Sequence, residues 1–417
     1  MQFHILSFEG PDPYSRVGGL ATRVEGLGQT LLALGHEVHL WFIGDPDRPP
    51  EEEWRGVRLH RWCQWVSRFH PEGVYDGDYG KQAELAASLP PYLAREILLP
   101  HLATGGKAVV LAEEWQTANT VLHLHWLLRY ERARDRVRIL WNANNTFGFD
   151  LVPWAQLSRV ATVTTVSRYM KHRMRELGVE AVVVPNGLPP DAFEPPDRSA
   201  VALLRRRFGA RTVVAKMARW DPDKRWLAAI EAVGEMKRHG WRPLLLARGG
   251  SEPHGAEVLE AALAKGLHVV DRSWTRPGAQ GLLEALDDAS VADVVNLGSR
   301  VDAESRRVLL RGANAVLANS GHEPFGLVGL ETMASGGLAC TGNTGEDYAV
   351  PGQNALVLET GEPMEFMTLF DRLRRCPDEA RALRRAGRAT ARRYAWSEIV
   401  DRVLVPRVEP ARDYVPT

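Results

Sequence analysis

The feature that most constrains this chain is a pattern that occurs twice. Near the start, the apolar run FHILSF leads into a glycine-rich loop, EGPDPYSRVGG. Leu20, Val24, Leu27, Leu31 and Leu34 follow at helical spacing, then Gly35 and a second apolar run, EVHLWFI. Strand, loop, helix, strand is the building unit of a parallel sheet. Further β-rich runs follow at KAVVLAE, RVRILWNAN, RVATVTTVS and EAVVVPNG, while the stretch from Gln64 to Pro100 reads as an insertion. The segment LPPDAFEPPDRS, with four prolines and little to pack, reads as a linker. After it the pattern restarts: strand RTVVAKMAR, loop DPDKRW, a helix from Leu227 to His239 ended by Gly240, and strand PLLLARGG. VADVVNLGS, NAVLANS and GLACTG continue the sheet, and the Arg-rich stretch from Pro377 to Arg393 closes the chain as a helix. The fold expected is α/β, two doubly wound lobes with a cleft between them and ligands at the carboxyl ends of the strands.

A length of 417 residues suits two domains of ordinary size. Lys plus Arg equal Asp plus Glu at 52 each, so no nucleic-acid or anionic-membrane footprint is expected. Cys63, Cys340 and Cys376 are far apart with no CxxC spacing, which argues against zinc or redox work and fits a reducing cytoplasm. MQFHILSF lacks a basic leader region, and no apolar run approaches the roughly 20 residues that span a bilayer; peripheral membrane contact stays open. Only seven residues are lysine, so a lysine inside a defined motif carries weight.

Three places offer chemistry. Gly18 and Gly19 stand between strand and helix, where bare backbone N–H groups suit a phosphate or simply shape a helix-entry loop. The loop lacks GxGxxG, which argues against a dinucleotide site. Arg219 and Lys224, on the loop after a strand end, are either solvated charges or the pair that neutralises a diphosphate leaving group. In HEPFGLVGLE, Glu323 lies in a turn and Glu331 inside the helix that follows, on the order of 10 Å apart at 1.5 Å per helical residue. That exceeds both a proton-sharing dyad and the roughly 5 Å of a retaining hydrolase pair. It suits two anchors on one extended ligand, or two charges that complement a helix dipole.

Taken together these motifs resemble the retaining glycosyltransferases of family 4, which include sucrose and glycogen synthase-like enzymes. The likeness runs through GGL, GHEVHLW, VPNGLPPDAF, ARWDPDK, EPFGLVGLETMASG and TGNTGEDYAVPGQNA, in the family's order. It implies two Rossmann-like lobes (the GT-B fold): residues 1–190 on the acceptor side, 191–385 binding the nucleotide sugar, and a helical segment, 386–417, packing back on the first lobe. It also implies a hexosyltransferase that needs no obligatory metal and uses UDP-glucose or ADP-glucose, ahead of GDP-mannose, with a carbohydrate or small hydroxylated acceptor. By this resemblance Arg219 and Lys224 grip the diphosphate, Glu331 the ribose and Glu323 the sugar hydroxyls. Phe325, Gly326 and Leu327 offer backbone N–H groups, Gly18 and Gly19 back the diphosphate, and Ser299, Arg300 and Val301 hold the base. Trp115, Gln116 and Asn145 line the acceptor side. Two departures stand out: in EEWQT, Glu113 and Glu114 replace the family's His and Asp, and Asn144 stands where a cleft histidine is usual. The rival readings are a nucleotide-sugar 2-epimerase or hydrolase on the same scaffold, and a nucleotide-sugar-binding protein without activity.

Overall fold

The computed structural model of the chain describes residues 1–408; residues 409–417, the end of the expected C-terminal segment, lie outside the described residues. The chain forms two units, one made of Met1–Gly187 and the chain from Trp396 onward, the other of Leu188–Ala395.

The first unit is built on β1 (Gln2–Leu6), β2 (Glu37–Ile43), β3 (Glu51–Trp54), β4 (Val57–Trp62), β5 (Ala108–Glu113), β6 (Val137–Ala143), β7 (Thr162–Thr165) and β8 (Val182–Val183), in the order β3-β4-β2-β1-β5-β6-β7-β8. All neighbours pair parallel except β3 with β4. At the centre Ile5 lies opposite Leu40 and Leu111, and β1 and β5 are buried along their whole length, as a parallel sheet covered on both faces requires. The β3–β4 hairpin has no counterpart in the sequence reading. Its two-residue turn, Arg55 and Gly56, has φ of 50° and 83°, the left-handed pair that matches strand twist. Three consecutive glutamates put charge on this edge and mask its strand character. The stretch from Gln64 to Pro100 holds a short helix, Gln64–Ser67, a run of turns, and helix from Asp78 onward, with Leu85, Leu89, Leu93 and Leu98 buried. Pro90 and Pro91 lie inside the helix Asp78–Tyr92 and supply no N–H; the ladder directly after them widens to a π turn, Leu93–Leu98.

The second unit carries β9 (Thr212–Met217), β10 (Pro243–Arg248), β11 (Val269–Arg272), β12 (Val294–Leu297), β13 (Ala315–Ala318), β14 (Ala339–Thr341) and β15 (Leu356–Val357), all parallel, in the order β11-β12-β10-β9-β13-β14-β15. Side-chain alternation builds two cores from one strand. Leu245 joins Trp226, Ile230 and Phe366 in one, whereas Leu244 and Leu246 join Leu204, Phe208 and Leu309 in the other.

The unit boundaries fall after Gly187 and Ala395, not at 190 and 385. Pro377–Arg392 is one unbroken helix whose buried face, Ala380, Leu383, Gly387 and Ala391, keeps residues 386–395 with the second unit; Gly387 sits against Met333. Trp396 belongs to the first unit. It is fully buried on Gly26 and Gly187, with the Arg23 guanidinium 5.7 Å from its ring centre.

Candidate active site

In the second unit, the loop after β9 is fixed by its tryptophans. Trp220 and Trp226 pack at 4.1 Å between ring centres, and Trp226 Nε1 donates to the Arg219 carbonyl at 2.7 Å. Asp221 caps the turn by accepting from Asp223 N–H at 2.9 Å. Arg219 is therefore presented outward with its side chain exposed, and Lys224 is turned inward to donate to Glu323 Oε2 at 2.7 Å. The side chains of Lys224 and Glu323 are only 17% and 18% exposed, so solvent screens this pair less than a surface one.

Glu323 stands in the turn between β13 and the helix Leu327–Ala334. Its N–H donates to Thr344 Oγ1 at 2.9 Å, and the loop carrying Thr344 presses so close that a Cβ on Gly345 would lie 2.1 Å from the Glu323 carbonyl oxygen. Phe325 is buried and meets the Tyr348 ring edge-on at 5.9 Å, while the Tyr348 hydroxyl donates to the Gly326 carbonyl. What this turn presents is therefore backbone. Gly326 precedes the helix and, having no side chain, leaves its start without a side-chain cap. Glu331 does not pair with Glu323: it accepts from Arg306 at 2.9 Å, so each carboxylate has its own cation.

Two further ionisable groups lie at this turn. Lys216 on β9 is 1% exposed, and its Nζ donates to Asn319 Oδ1 at 3.0 Å and to the Leu317 carbonyl at 3.3 Å. Burial first, and the charge on Lys224 second, bring its pKa down to about 7. Glu346 is 4% exposed; Oε2 accepts from Thr344 N–H at 3.2 Å and Oε1 is buried with no partner among the described residues. Burial and then the neighbouring Glu323 charge raise its pKa to about 7. Further along the sheet, Ser299 Oγ accepts from Trp274 N–H and donates to the Trp274 carbonyl, both at 2.7 Å, which shapes the loop holding exposed Arg300 and buried Val301.

In the first unit the glycine loop differs from expectation. The N–H groups of Gly18 and Ala21 donate to Glu9 Oε2 at 2.9 and 3.1 Å, so a carboxylate of the chain itself occupies the anion seat at the start of the helix Gly19–Ala33. At the top of β5, Glu113 accepts from Arg23 Nε at 3.0 Å and from the side-chain amides of Asn142 and Asn144 at 2.9 and 2.8 Å. Glu114 has φ 70° and ψ 163°, a conformation that non-glycine residues hold only under constraint. Its carboxylate accepts from Asn144 N–H at 2.6 Å and Asn145 Nδ2 at 3.3 Å, and burial is the main reason its pKa rises to about 8. The two glutamates of EEWQT thus gather Asn144 and Asn145. Trp115 and Gln116 are buried beside them. A cavity of about 500 Å³ opens against Tyr79, Trp115 and Phe147, with Asp78 and Asp150 in its walls.

Two family models match, "Glycosyltransferase Family 4" over residues 17–192 and "Glycosyl transferases group 1" over residues 209–390. The chain belongs to glycosyltransferase family 4. The D-inositol 3-phosphate glycosyltransferase of Segniliparus rotundus is 27% identical over 225 residues; the match spans 53% of this chain and 45% of that relative, so the chain covers about half of the relative's length. Sucrose-phosphate synthase from Thermosynechococcus elongatus superposes over 95% of this family 4 chain and 96% of its own, with a TM-score of 0.66 and 19% identity. The catalytic domain of starch synthase IV from Arabidopsis thaliana, bound to ADP and acarbose, covers 96% and 99% with a TM-score of 0.65 and 17% identity. At these identities the likeness shows the fold, two parallel-sheet α/β lobes of the GT-B kind.

Sequence reading of this family 4 chain missed Glu9, Arg23, Lys216, Arg306 and Glu346. Lys216 alone left a trace, a lysine in an apolar strand of a chain with seven. Among the described residues no group of three or more His, Cys, Asp or Glu is arranged to hold a metal, and no helix is long and apolar enough to cross a membrane.

Proposed function

We propose that the protein is a retaining hexosyltransferase, moving glucose from a nucleotide diphosphate sugar to a hydroxyl of a carbohydrate or small hydroxylated acceptor. One observation carries this reading: the Lys224–Glu323 pair lies beside an uncapped helix start, with the outward Arg219 on the same loop. Breaking a sugar to phosphate bond demands positive charge on the leaving diphosphate, which Arg219 and Lys224 supply. Glu323, fixed by Lys224 and by Thr344, accepts from hydroxyls of the sugar. Glu331, held by Arg306, accepts from the ribose. The acceptor hydroxyl attacks the face the diphosphate leaves; the C1–O bond to phosphate breaks, the glycosidic bond forms, and the acceptor proton passes to the leaving phosphate oxygen. Charge on the departing group is thus met by side chains of the protein, and activity should survive chelation. The starch synthase neighbour bound to ADP and acarbose supports a nucleotide-linked donor, which we read as UDP-glucose or ADP-glucose. The cavity walled by Tyr79, Trp115 and Phe147 suits the acceptor, since aromatic faces stack on sugar rings. Free Cys63 and Cys340, both buried, support a cytoplasmic setting.

A thermal-shift screen of UDP-glucose, ADP-glucose and GDP-mannose, followed by mass analysis of products with small acceptors, tests the reading, because a cognate donor stabilises by mass action. Glu323→Ala and Lys224→Ala should each lower transfer by about 100-fold or more with the fold intact. Full activity in both variants would remove the site assignment. Donor turnover without acceptor would favour the epimerase or hydrolase reading, and tight binding without any product the non-catalytic one.

A further inference from the structure

We propose that Lys216 is a third basic group behind the donor site, only partly charged at rest, which takes up a proton when a nucleotide diphosphate is bound at Arg219 and Lys224. The inference rests on the donor reading above. Lys216 lies on β9, the strand that runs directly into the Arg219–Lys224 loop. Among the described residues it is buried without a carboxylate partner: its two acceptors are the neutral Asn319 amide and the Leu317 carbonyl, and its Nζ is 5.4 Å from the Trp226 ring centre. An ammonium so enclosed is disfavoured by desolvation and is the side chain most ready to release its proton. Three charged groups face it: Lys224 and Arg225 oppose its charge, and Glu323 favours it. Glu323 is itself neutralised by Lys224 at 2.7 Å, so the field at Lys216 is close to balanced. The negative charge of a diphosphate beside Lys224 tips that balance. Lys216 resists protonation in the free protein down to pH about 7, and an anion raises that midpoint. By linkage, binding must then weaken as pH rises above neutrality, with a limit of about tenfold per pH unit for one linked proton. Glu346, which also feels the Glu323 charge, titrates near pH 7 too and would add to the uptake. Lys216 touches no ligand; it acts through the field at Lys224 and is a positioning residue.

The experiment is calorimetric titration with UDP-glucose and with ADP-glucose, at pH 7.5, in buffers of different ionisation enthalpy. Their diphosphates are esterified at both ends and carry no titratable proton near neutrality. The wild type should take up a fraction of a proton; Lys216→Met should lose most of that uptake and flatten the pH profile of binding, whereas Glu346→Gln should keep the Lys216 share. The ¹³Cε signals of the seven lysines, followed against pH in the wild type, give a readout that needs no variant, since Lys216 is the one lysine enclosed in the core of the second unit. Its midpoint should lie near pH 7 in the free protein and rise with either nucleotide sugar bound. A midpoint at an ordinary lysine value, or one unmoved by a bound nucleotide sugar, overturns the proposal. A low midpoint with no binding of either sugar overturns the donor reading instead, and the coupling with it.

Discussion

At the scale of single residues, the site is governed by burial, which composition does not report. Glu346 shows this: in TGNTGEDYAV it looks like a loop acid, yet it is enclosed, with one oxygen unpartnered. Its folded pKa of about 7 lies above the ordinary value of 4.5, so between those pH values the folded protein holds a proton that the unfolded chain has lost. Stability from this group is full below pH 4.5 and falls as pH rises to about 7. Glu346→Gln, which keeps the bond to Thr344 N–H without the charge, should therefore gain relative to wild type by up to about 1.4 kcal/mol per pH unit across that window and by a constant amount above it. Thermal melts at pH 5 and pH 8 check this, and equal shifts at the two pH values would count against it. Residue types at motif spacing marked out Arg219, Lys224, Glu323 and Glu331 as candidates in the sequence. Their partners were not marked, because Arg306 and Thr344 reach the two glutamates from other elements and only the folded chain brings them together.

At the scale of elements, periodicity carried most of the reading. The helix expected to carry Glu331 is Leu327–Ala334, and the strands of both sheets that lead into the site appear where apolar runs stand. The β3–β4 hairpin escaped because its strand EEEW is acidic, and its clue was the Arg-Gly turn. The glycine loop illustrates a subtler failure: its N–H groups do point at an anion, but that anion is Glu9. Close approach between elements gives a sharp test at Gly345. A methyl group there would collide with the backbone of Glu323 and Pro324. Gly345→Ala should push the turn away from Thr344 and weaken nucleotide-sugar binding tenfold or more, with melting lowered by roughly 1–3 kcal/mol equivalent. Binding measured by calorimetry at unchanged affinity would show that the turn has slack.

Over the whole molecule, the two units differ in how they meet acid. The first carries three buried histidines on neighbouring strands: His4 lies opposite His39, and His39 Nδ1 is 2.9 Å from His60 Nε2. Burial holds all three pKa values below the ordinary 6.5, His60 at about 3. Above pH 6.5 they are neutral in both states and cost nothing. Below it the unfolded chain takes up protons that the folded unit refuses, so stability falls with pH by up to about 1.4 kcal/mol per unit for each histidine. Hydrogen exchange read peptide by peptide between pH 7 and 4.5 should show β1, β2 and β4 losing protection before β9 and β13. Equal loss in both sheets would argue against this. The fold class of the two lobes was open to sequence because each repeats the same strand and helix rhythm. The crossing points were not, since a helix through residue 385 leaves no mark of where it changes neighbours.

That crossing has a consequence for how the chain is made. The second unit is one continuous stretch, but the first needs the indole of Trp396 to close over Gly26 and Gly187. During synthesis the ribosome therefore delivers every residue of Leu188–Ala395 before it delivers Trp396. The half of the protein that starts first is the half that is finished last.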